Sequence, residues 1–117
     1  MVYEPHPIIF SAKISTKLNN LLENIALIKR KTKSDIIREA IELYMKNPKF
    51  DIEDPYHVSH YTRVLTFKTT MDLASRIEGF CAKNEVSISR LVRNALLNYF
   101  EQNKIKDISR IEKVHFL

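Results

Sequence analysis

Residues 9–18, with the sequence IFSAKISTKL, are matched 55 positions later by residues 64–73, with the sequence VLTFKTTMDL. Carried forward without a gap, the same offset aligns Glu23 with Glu78, Ser34 with Ser89, Arg38 with Arg93, Ala40 with Ala95, and Tyr44 with Tyr99. Few aligned pairs are identical, but the apolar positions coincide throughout. Because apolar positions are those that a shared core constrains, we interpret the pattern as an internal duplication.

Each unit of the duplication opens with a stretch in which inward and outward residues alternate. A period of two is that of a β-strand with one buried face. The predicted inward residues are Phe10, Ala12, Ile14, Leu65, Phe67 and Thr69. The predicted outward residues are Ile9, Ser11, Lys13, Val64, Thr66 and Lys68.

Two amphipathic helices are predicted after each strand. Apolar residues recur there with spacings of three and four, which place them on one helical face. A serine or threonine precedes each helix, and its side chain can accept a hydrogen bond from a free N–H group of the first turn. The four predicted N-caps are Ser15, Thr32, Thr70 and Ser87. Asp35 stands three residues after Thr32, so a capping box is predicted at that helix.

The duplication divides the chain into two units and two other segments. The predicted divisions are unit one at residues 8–46, a linker at 47–62, unit two at 63–102 and a C-terminal segment at 103–117. The linker contains Pro48, Pro55 and an acidic run, which are typical of a connection. In the C-terminal segment an apolar residue occurs at every third position from Ile105 to Val114, which allows a third short helix.

A unit of one strand and two short helices is too small to bury a core of its own. Its strand would also leave backbone N–H and C=O groups unpaired. Antiparallel pairing of the two strands above four interlocked helices solves both problems. We therefore predict a mainly α fold with a short two-stranded antiparallel β-ribbon, in which the tandem units share one core as an intramolecular pseudo-dimer.

The composition excludes several classes of protein. One glycine among 117 residues excludes the glycine-rich loops that bind nucleotide phosphates, and one cysteine excludes a disulfide framework or a cysteine-based zinc finger. No apolar run approaches the roughly 20 residues that span a bilayer, and the N-terminus lacks the pattern of a signal peptide. With 44% hydrophobic residues and a net charge of +5, we expect a soluble, basic, cytoplasmic protein that does not bind membranes.

The sequence contains no convincing catalytic or metal site. His57 and His60 form a His-x-x-His pair in the linker, and His6 and His115 lie near the ends, but further ligands at metal-binding spacing are missing. Cys81 occupies an apolar position of its helix and is predicted to be a core residue instead of a nucleophile. We therefore expect no enzymatic activity, no catalytic residue, no metal and no cofactor.

Three segments of the first unit resemble a known family. They are the strand end Lys13-Ile14-Ser15, the helix opening Lys17-Leu18, and residues 32–41, TKSDIIREAI, matched in unit two by residues 87–96, SISRLVRNAL. Within a pattern that covers about 80 of the 117 residues, they resemble the ribbon-helix-helix family of DNA-binding proteins, the Arc, MetJ and CopG type. Members usually dimerise with one unit per chain, and a chain that holds both units is similar to some regulators of archaeal viruses.

The connection and pairing of the helices can also be predicted. Many members of the family place a glycine before the second helix, where this chain has Arg30 and Glu85. We therefore expect the turn between the helices to close without a residue in the left-handed region. Two recurring pairs are predicted to form structural ion pairs between helices: Glu23 with Arg38, and Glu78 with Arg93.

The resemblance implies which residues contact DNA bases. In this family the outward strand residues do so, and here they are Ile9, Ser11, Lys13, Val64, Thr66 and Lys68. Lysine can donate to guanine O6 or N7, a hydroxyl can donate or accept, and isoleucine or valine can contact a thymine methyl group. The alternative interpretation is that these are ordinary solvated residues of an exposed strand.

The N-terminus of the second helix of each unit is predicted to bind a DNA phosphate. Its free N–H groups and the positive end of its dipole suit an anion. The predicted phosphate contacts are Lys31, Thr32, Lys33, Ser34, Ser87, Ser89 and Arg90. Because Glu85 and Ile88 replace basic residues of unit one, binding is expected to be stronger on unit one. The alternative for the basic run from Lys29 to Lys33 is a solvated helix C-terminus that the dipole favours.

These features together predict a sequence-specific regulator of transcription that binds double-stranded DNA, for example a repressor. Because the two strands are similar but not identical, an imperfect palindrome is the expected site. The C-terminal segment suggests that chains self-associate on DNA, in the host cytoplasm if the protein is viral. The alternative function is an antitoxin or protein-interaction module that also binds DNA.

Overall fold

A computed structural model describes residues 6–50 and 61–103, so the middle of the predicted linker and almost all of the C-terminal segment lie outside it. The described elements, in chain order, are β1 at Ile8–Ile14, α1 at Thr16–Lys29, α2 at Lys33–Lys46, β2 at Arg63–Thr69, α3 at Met71–Asn84 and α4 at Ile88–Gln102. The order of strand, helix and helix thus occurs twice. Each element of the second set begins 55 residues after its counterpart in the first.

The two strands form an antiparallel ribbon, which confirms the predicted mainly helical fold with one two-stranded sheet. Ser11 lies opposite Thr66 in the register, and these two residues are counterparts under the 55-residue offset. The pairing extends evenly to either side, from Ile8 opposite Thr69 to Ile14 opposite Arg63. The ribbon is therefore centred on a pair of equivalent residues.

All four predicted N-caps are confirmed. In each helix the cap hydroxyl accepts a hydrogen bond from the N–H group three residues later, with donor–acceptor distances of 3.0 or 3.1 Å. The capping box at α2 is also present, since the carboxylate of Asp35 accepts from the N–H of Thr32 at 3.2 Å. Such caps typically contribute about 1 kcal/mol each, so these four residues stabilise the observed helix starts.

The core lies between the inner face of the ribbon and the four helices. Its largest fully buried side chains include Tyr44 on α2, Tyr99 on α4 and Phe67 on β2. Phe10 packs against Phe67 across the ribbon, with ring centroids 5.7 Å apart. Thr69 is fully buried at the strand end, where unit one has Ile14, and among the described residues its hydroxyl has no hydrogen-bond partner.

The expectation for the turn between the helices is wrong. Arg30 has φ 56° and ψ 44°, and Glu85 has φ 53° and ψ 44°, so both lie in the left-handed region although neither is glycine. Both helices end in the same way: the N–H of the next residue bonds to a carbonyl five residues earlier, Lys31 to Ala26 and Val86 to Cys81. These bonds satisfy the last helical carbonyls and offset a backbone cost of about 1–2 kcal/mol.

Residues that correspond under the 55-residue offset can differ in chemistry. Arg76 on α3 donates hydrogen bonds to both carboxylate oxygens of Glu42 on α2. The counterparts of these residues under the 55-residue offset are Leu21 on α1 and Leu97 on α4, which are partly buried against the core. The positions that correspond to the ion pair of Glu42 and Arg76 therefore hold apolar residues.

No described helix is both long enough and apolar enough to cross a membrane.

Candidate nucleic-acid interface

The outer face of the ribbon consists of the residues that the alternation predicted to point outward. All of them are exposed, namely Ile9, Ser11, Lys13, Val64, Thr66 and Lys68. The two aliphatic members stand out, because Ile9 is 61% and Val64 is 66% exposed. Their alternation with buried Ala12, Leu65 and Phe67 confirms the predicted strand geometry.

The strand register arranges this outer face as three cross-strand pairs. Ser11 and Thr66 form the central pair, with Lys13 opposite Val64 on one side and Ile9 opposite Lys68 on the other. The two lysines therefore occupy diagonally opposite corners, four residues apart along the ribbon. At about 3.3 Å per residue this separation is about 13 Å.

Two strands of this kind match the dimensions of a DNA groove. Neighbouring strands lie about 4.8 Å apart, and the major groove of B-DNA is about 12 Å wide. Both the ammonium and hydroxyl groups of the outer face can donate to base edges, and the hydroxyls can also accept. The inner face cannot serve this purpose, because its residues are buried or half-buried beneath the ribbon.

The lysine positions are fixed by side chains from the second helix of the opposite unit. The N–H of Lys13 donates to the hydroxyl of Ser89 on α4 at 3.0 Å, and Arg93 of α4 donates to the carbonyl of Lys13 at 2.8 Å. Both backbone groups of Lys13 are thus held by one helix.

The same arrangement occurs at the other end of the ribbon. Ser34 of α2 accepts from the N–H of Lys68 at 3.3 Å, and Arg38 donates to the carbonyl of Lys68. Each helix N-terminus is therefore tied to one corner of the outer face. The sequence analysis did not predict these bonds, because it assigned Ser34 and Ser89 only to phosphate contacts. The one signal in the sequence was that a serine recurs at these two positions, 55 residues apart.

The predicted ion pair between Glu23 and Arg38 is wrong. Glu23 instead accepts from Asn19 at 3.1 Å and lies 3.4 Å from the ammonium group of Lys33. Arg38 pairs with Asp35, three residues before it on the same helix. A guanidinium that reaches a strand carbonyl and a neighbouring carboxylate at once cannot also reach across to α1.

Arg93 likewise has partners other than the predicted Glu78. Besides its hydrogen bond to the carbonyl of Lys13, its guanidinium lies over the ring of Tyr61, 4.1 Å from the ring centroid. A cation over an aromatic face is attracted by the ring quadrupole. Tyr61 therefore holds Arg93 beside the strand end.

Two lysines beside the N-terminus of α2, Lys31 and Lys33, already have acidic partners. Lys31 lies 3.1 Å from Glu39, and this hydrogen bond raises the pKa of the Lys31 ammonium. Lys33 donates to Asn19 at 2.9 Å in addition to its contact with Glu23. These ion pairs are exposed or half-exposed, so each contributes only about 0–1 kcal/mol to stability. Replacing the carboxylate with another anion, such as a phosphate, therefore costs little free energy.

Asp35 places a negative charge in the first turn of α2. Burial raises the pKa of this carboxyl group. The hydrogen bonds with the hydroxyl and N–H of Thr32 and the nearby guanidinium of Arg38 together lower it by more, so the pKa lies below its usual value. The carboxylate is therefore ionised at neutral pH. It stabilises the helix end and partly offsets the positive charge of Lys31 and Lys33.

The N-terminus of α4 is built differently. Its N-cap Ser87 is followed by Ile88, and Arg90 occupies the position that Asp35 has in α2. The first turn contains no acidic residue. One helix end thus combines two lysines with an aspartate, whereas the other has a single arginine.

The histidines and the cysteine were considered as possible metal ligands or nucleophiles from the sequence. The described residues contain no group of three or more potential metal ligands, and of the four histidines only His6 lies among them. The His57 and His60 pair and His115 lie outside the described residues. Cys81 is buried in the core as predicted, and burial raises the pKa of its thiol, which makes it a poor nucleophile.

The chain was compared with protein families, curated proteins and solved structures. The chain matches no protein-family model, none of the curated proteins and none of the solved structures. Function is therefore inferred from the exposed residues of the ribbon and the helix ends beside it.

Proposed function

We propose that this chain is a sequence-specific regulator of transcription that binds double-stranded DNA, with its β-ribbon in the major groove. The observation that supports this most is the outer face of the ribbon, in which two lysines, two hydroxyls and two exposed aliphatic residues form three cross-strand pairs. Against base edges, the lysines and hydroxyls can form hydrogen bonds and the aliphatic side chains can contact thymine methyl groups. In the free protein, Ile9 and Val64 expose apolar surface to water, which is unfavourable.

Base recognition follows from the hydrogen-bonding groups. Lys13 and Lys68 donate to guanine O6 or N7, and Ser11 and Thr66 donate to or accept from the bases between them. Ile9 and Val64 contact thymine methyl groups, which also removes their apolar surface from water.

We further propose that the two units act as a pseudo-dimer within one chain. The ribbon is centred on the equivalent residues Ser11 and Thr66, and the serine hydroxyls of α2 and α4 accept from equivalent lysine N–H groups at 3.3 and 3.0 Å. These matched contacts support an approximate two-fold relation between the units. Binding would then need no association of separate chains.

Phosphate contacts on either side of the groove complete the proposal. The N-termini of α2 and α4 are tied to Lys68 and Lys13, so they flank a groove that the ribbon occupies. Their free N–H groups suit phosphate oxygens. Lys31 and Lys33 would exchange their carboxylate partners for a phosphate at the N-terminus of α2. Arg90 would contact a phosphate at the N-terminus of α4.

The proposal is tested by selecting bound sequences from random 30-base-pair duplexes with the full chain, followed by binding measurements on the enriched duplex and on scrambled DNA. Lys13→Ala and Lys68→Ala are expected to weaken the enriched duplex about tenfold, with a smaller effect on scrambled DNA. Lys46→Ala is the matched control, because it removes the same charge from an exposed position about 18 Å along α2 from Ser34.

Two results would contradict the proposal. Failure to enrich any sequence would show that the chain does not read bases. Equal losses on enriched and scrambled DNA for the two ribbon variants would assign the lysines to non-specific attraction.

A further inference from the structure

Building on the proposed function, we infer that the ribbon reads two inverted G·C base pairs about four base pairs apart, and that the chain binds this site in either of two opposite directions. The inference concerns the substrate of the ribbon and the way the protein is placed on it. It depends on the chemical symmetry of the outer face, on the lysine separation, and on the contact of the unlike helix ends with phosphates instead of bases.

The outer face is chemically two-fold. Each residue of β1 on this face has a counterpart of the same kind on β2: Ile9 with Val64, Ser11 with Thr66, and Lys13 with Lys68. Because the register is centred on Ser11 and Thr66, a half-turn about that pair exchanges each residue with its counterpart. The two halves of the face therefore present the same donors, acceptors and apolar groups to DNA.

The lysine separation sets the spacing of the base pairs. Lys13 and Lys68 are four residues apart along the ribbon, a distance of about 13 Å. Base pairs of B-DNA are about 3.4 Å apart, so this distance corresponds to about four base pairs. The half-turn that exchanges the lysines also exchanges the DNA strands, which places the two guanines on opposite strands.

The parts of the molecule that lack this symmetry are not expected to favour either of the two binding directions on the DNA site. The helix ends differ most, since Lys31 and Lys33 of unit one correspond to Val86 and Ile88 of unit two. These ends face phosphates, which are the same in both halves of a duplex. They add affinity in either direction, and only the outer face distinguishes sequences.

The test uses four duplexes made from the sequence enriched by the full chain: intact, either G·C pair changed to A·T, and both changed. The unmodified protein is expected to lose about tenfold on each single change and about a hundredfold on the double change, because well-separated contacts add. Lys13→Ala is expected to lose about tenfold on the intact duplex and less than about twofold more on either single change. The reason is that the chain can turn so that its missing lysine faces the altered base pair.

Lys68→Ala is expected to give the same pattern as Lys13→Ala, because each lysine can occupy either half of the site. The control Lys46→Ala should behave as the unmodified protein on all four duplexes. An enriched sequence without inverted symmetry, or two variants that lose affinity at different base pairs, would overturn the inference and leave the proposed function standing. Equal binding of all sequences would overturn both.

Discussion

Replacing Glu85 with glycine is expected to stabilise the protein, because Glu85 ends α3 in the left-handed region with φ 53° and ψ 44°. A Cβ in this conformation approaches the following carbonyl oxygen and costs about 1–2 kcal/mol. Glycine removes that cost but loses more backbone entropy on folding, which offsets about 0.5–1 kcal/mol. The expected net gain in the free energy of unfolding is about 0.5–1 kcal/mol.

This gain can be converted into a change in melting temperature. At about 2.1 cal/mol/K per residue, a chain of 117 residues has an unfolding entropy of about 250 cal/mol/K. The expected rise in Tm is therefore about 2–4 °C, measured by circular dichroism at 222 nm and checked by urea unfolding.

The matched control is Glu85→Ala, which removes the same carboxylate but keeps the Cβ. Any effect of the lost charge near the N-terminus of α4 appears in both variants, so their difference isolates the backbone conformation. If Glu85→Gly is no more stable than Glu85→Ala, the reasoning from the left-handed backbone is refuted.

Two further predictions concern the core and the helix ends. Thr69→Val is expected to raise the free energy of unfolding by about 1 kcal/mol in urea titrations, because among the described residues the buried hydroxyl has no partner. Thr66→Val, on the exposed outer face, should change stability little, and equal effects of the two changes would contradict this account. Lys33→Ala is expected to weaken binding to all DNA sequences alike and to reduce the slope of log K against log salt by about 0.9. A loss confined to the enriched sequence would instead make Lys33 a base contact.

Much of the fold could be predicted because its determinants are local. The alternation from Ile9 to Lys13 and from Val64 to Lys68 reflects the period of a strand, so each outward residue could be named before any contact was known. The N-caps could be named for the same reason, since the hydroxyl of Thr32 bonds only three residues along the chain. Pairing of the strands followed because neither could satisfy its backbone alone.

The features that sequence reasoning missed depend on contacts between distant parts of the chain. Arg93 donates to the carbonyl of Lys13, 80 residues away, and no periodicity distinguishes a side chain that will meet a backbone group. The left-handed residue at Arg30 was missed because glycine, its usual signal, is absent. The roles assigned to the outer face and to the helix ends remain predictions for the experiments above.

The ion pair between Glu42 and Arg76 has a consequence for how such a protein can evolve. A homodimer carries each substitution on both sides of its symmetry axis, so a change that suits one side must also be tolerated on the other. Here both strand–helix–helix segments belong to one chain, and the positions that correspond to Glu42 and Arg76 under the 55-residue offset hold Leu97 and Leu21. One gene can therefore acquire an arginine in one half while keeping a leucine in the other, and selection can act on each half separately.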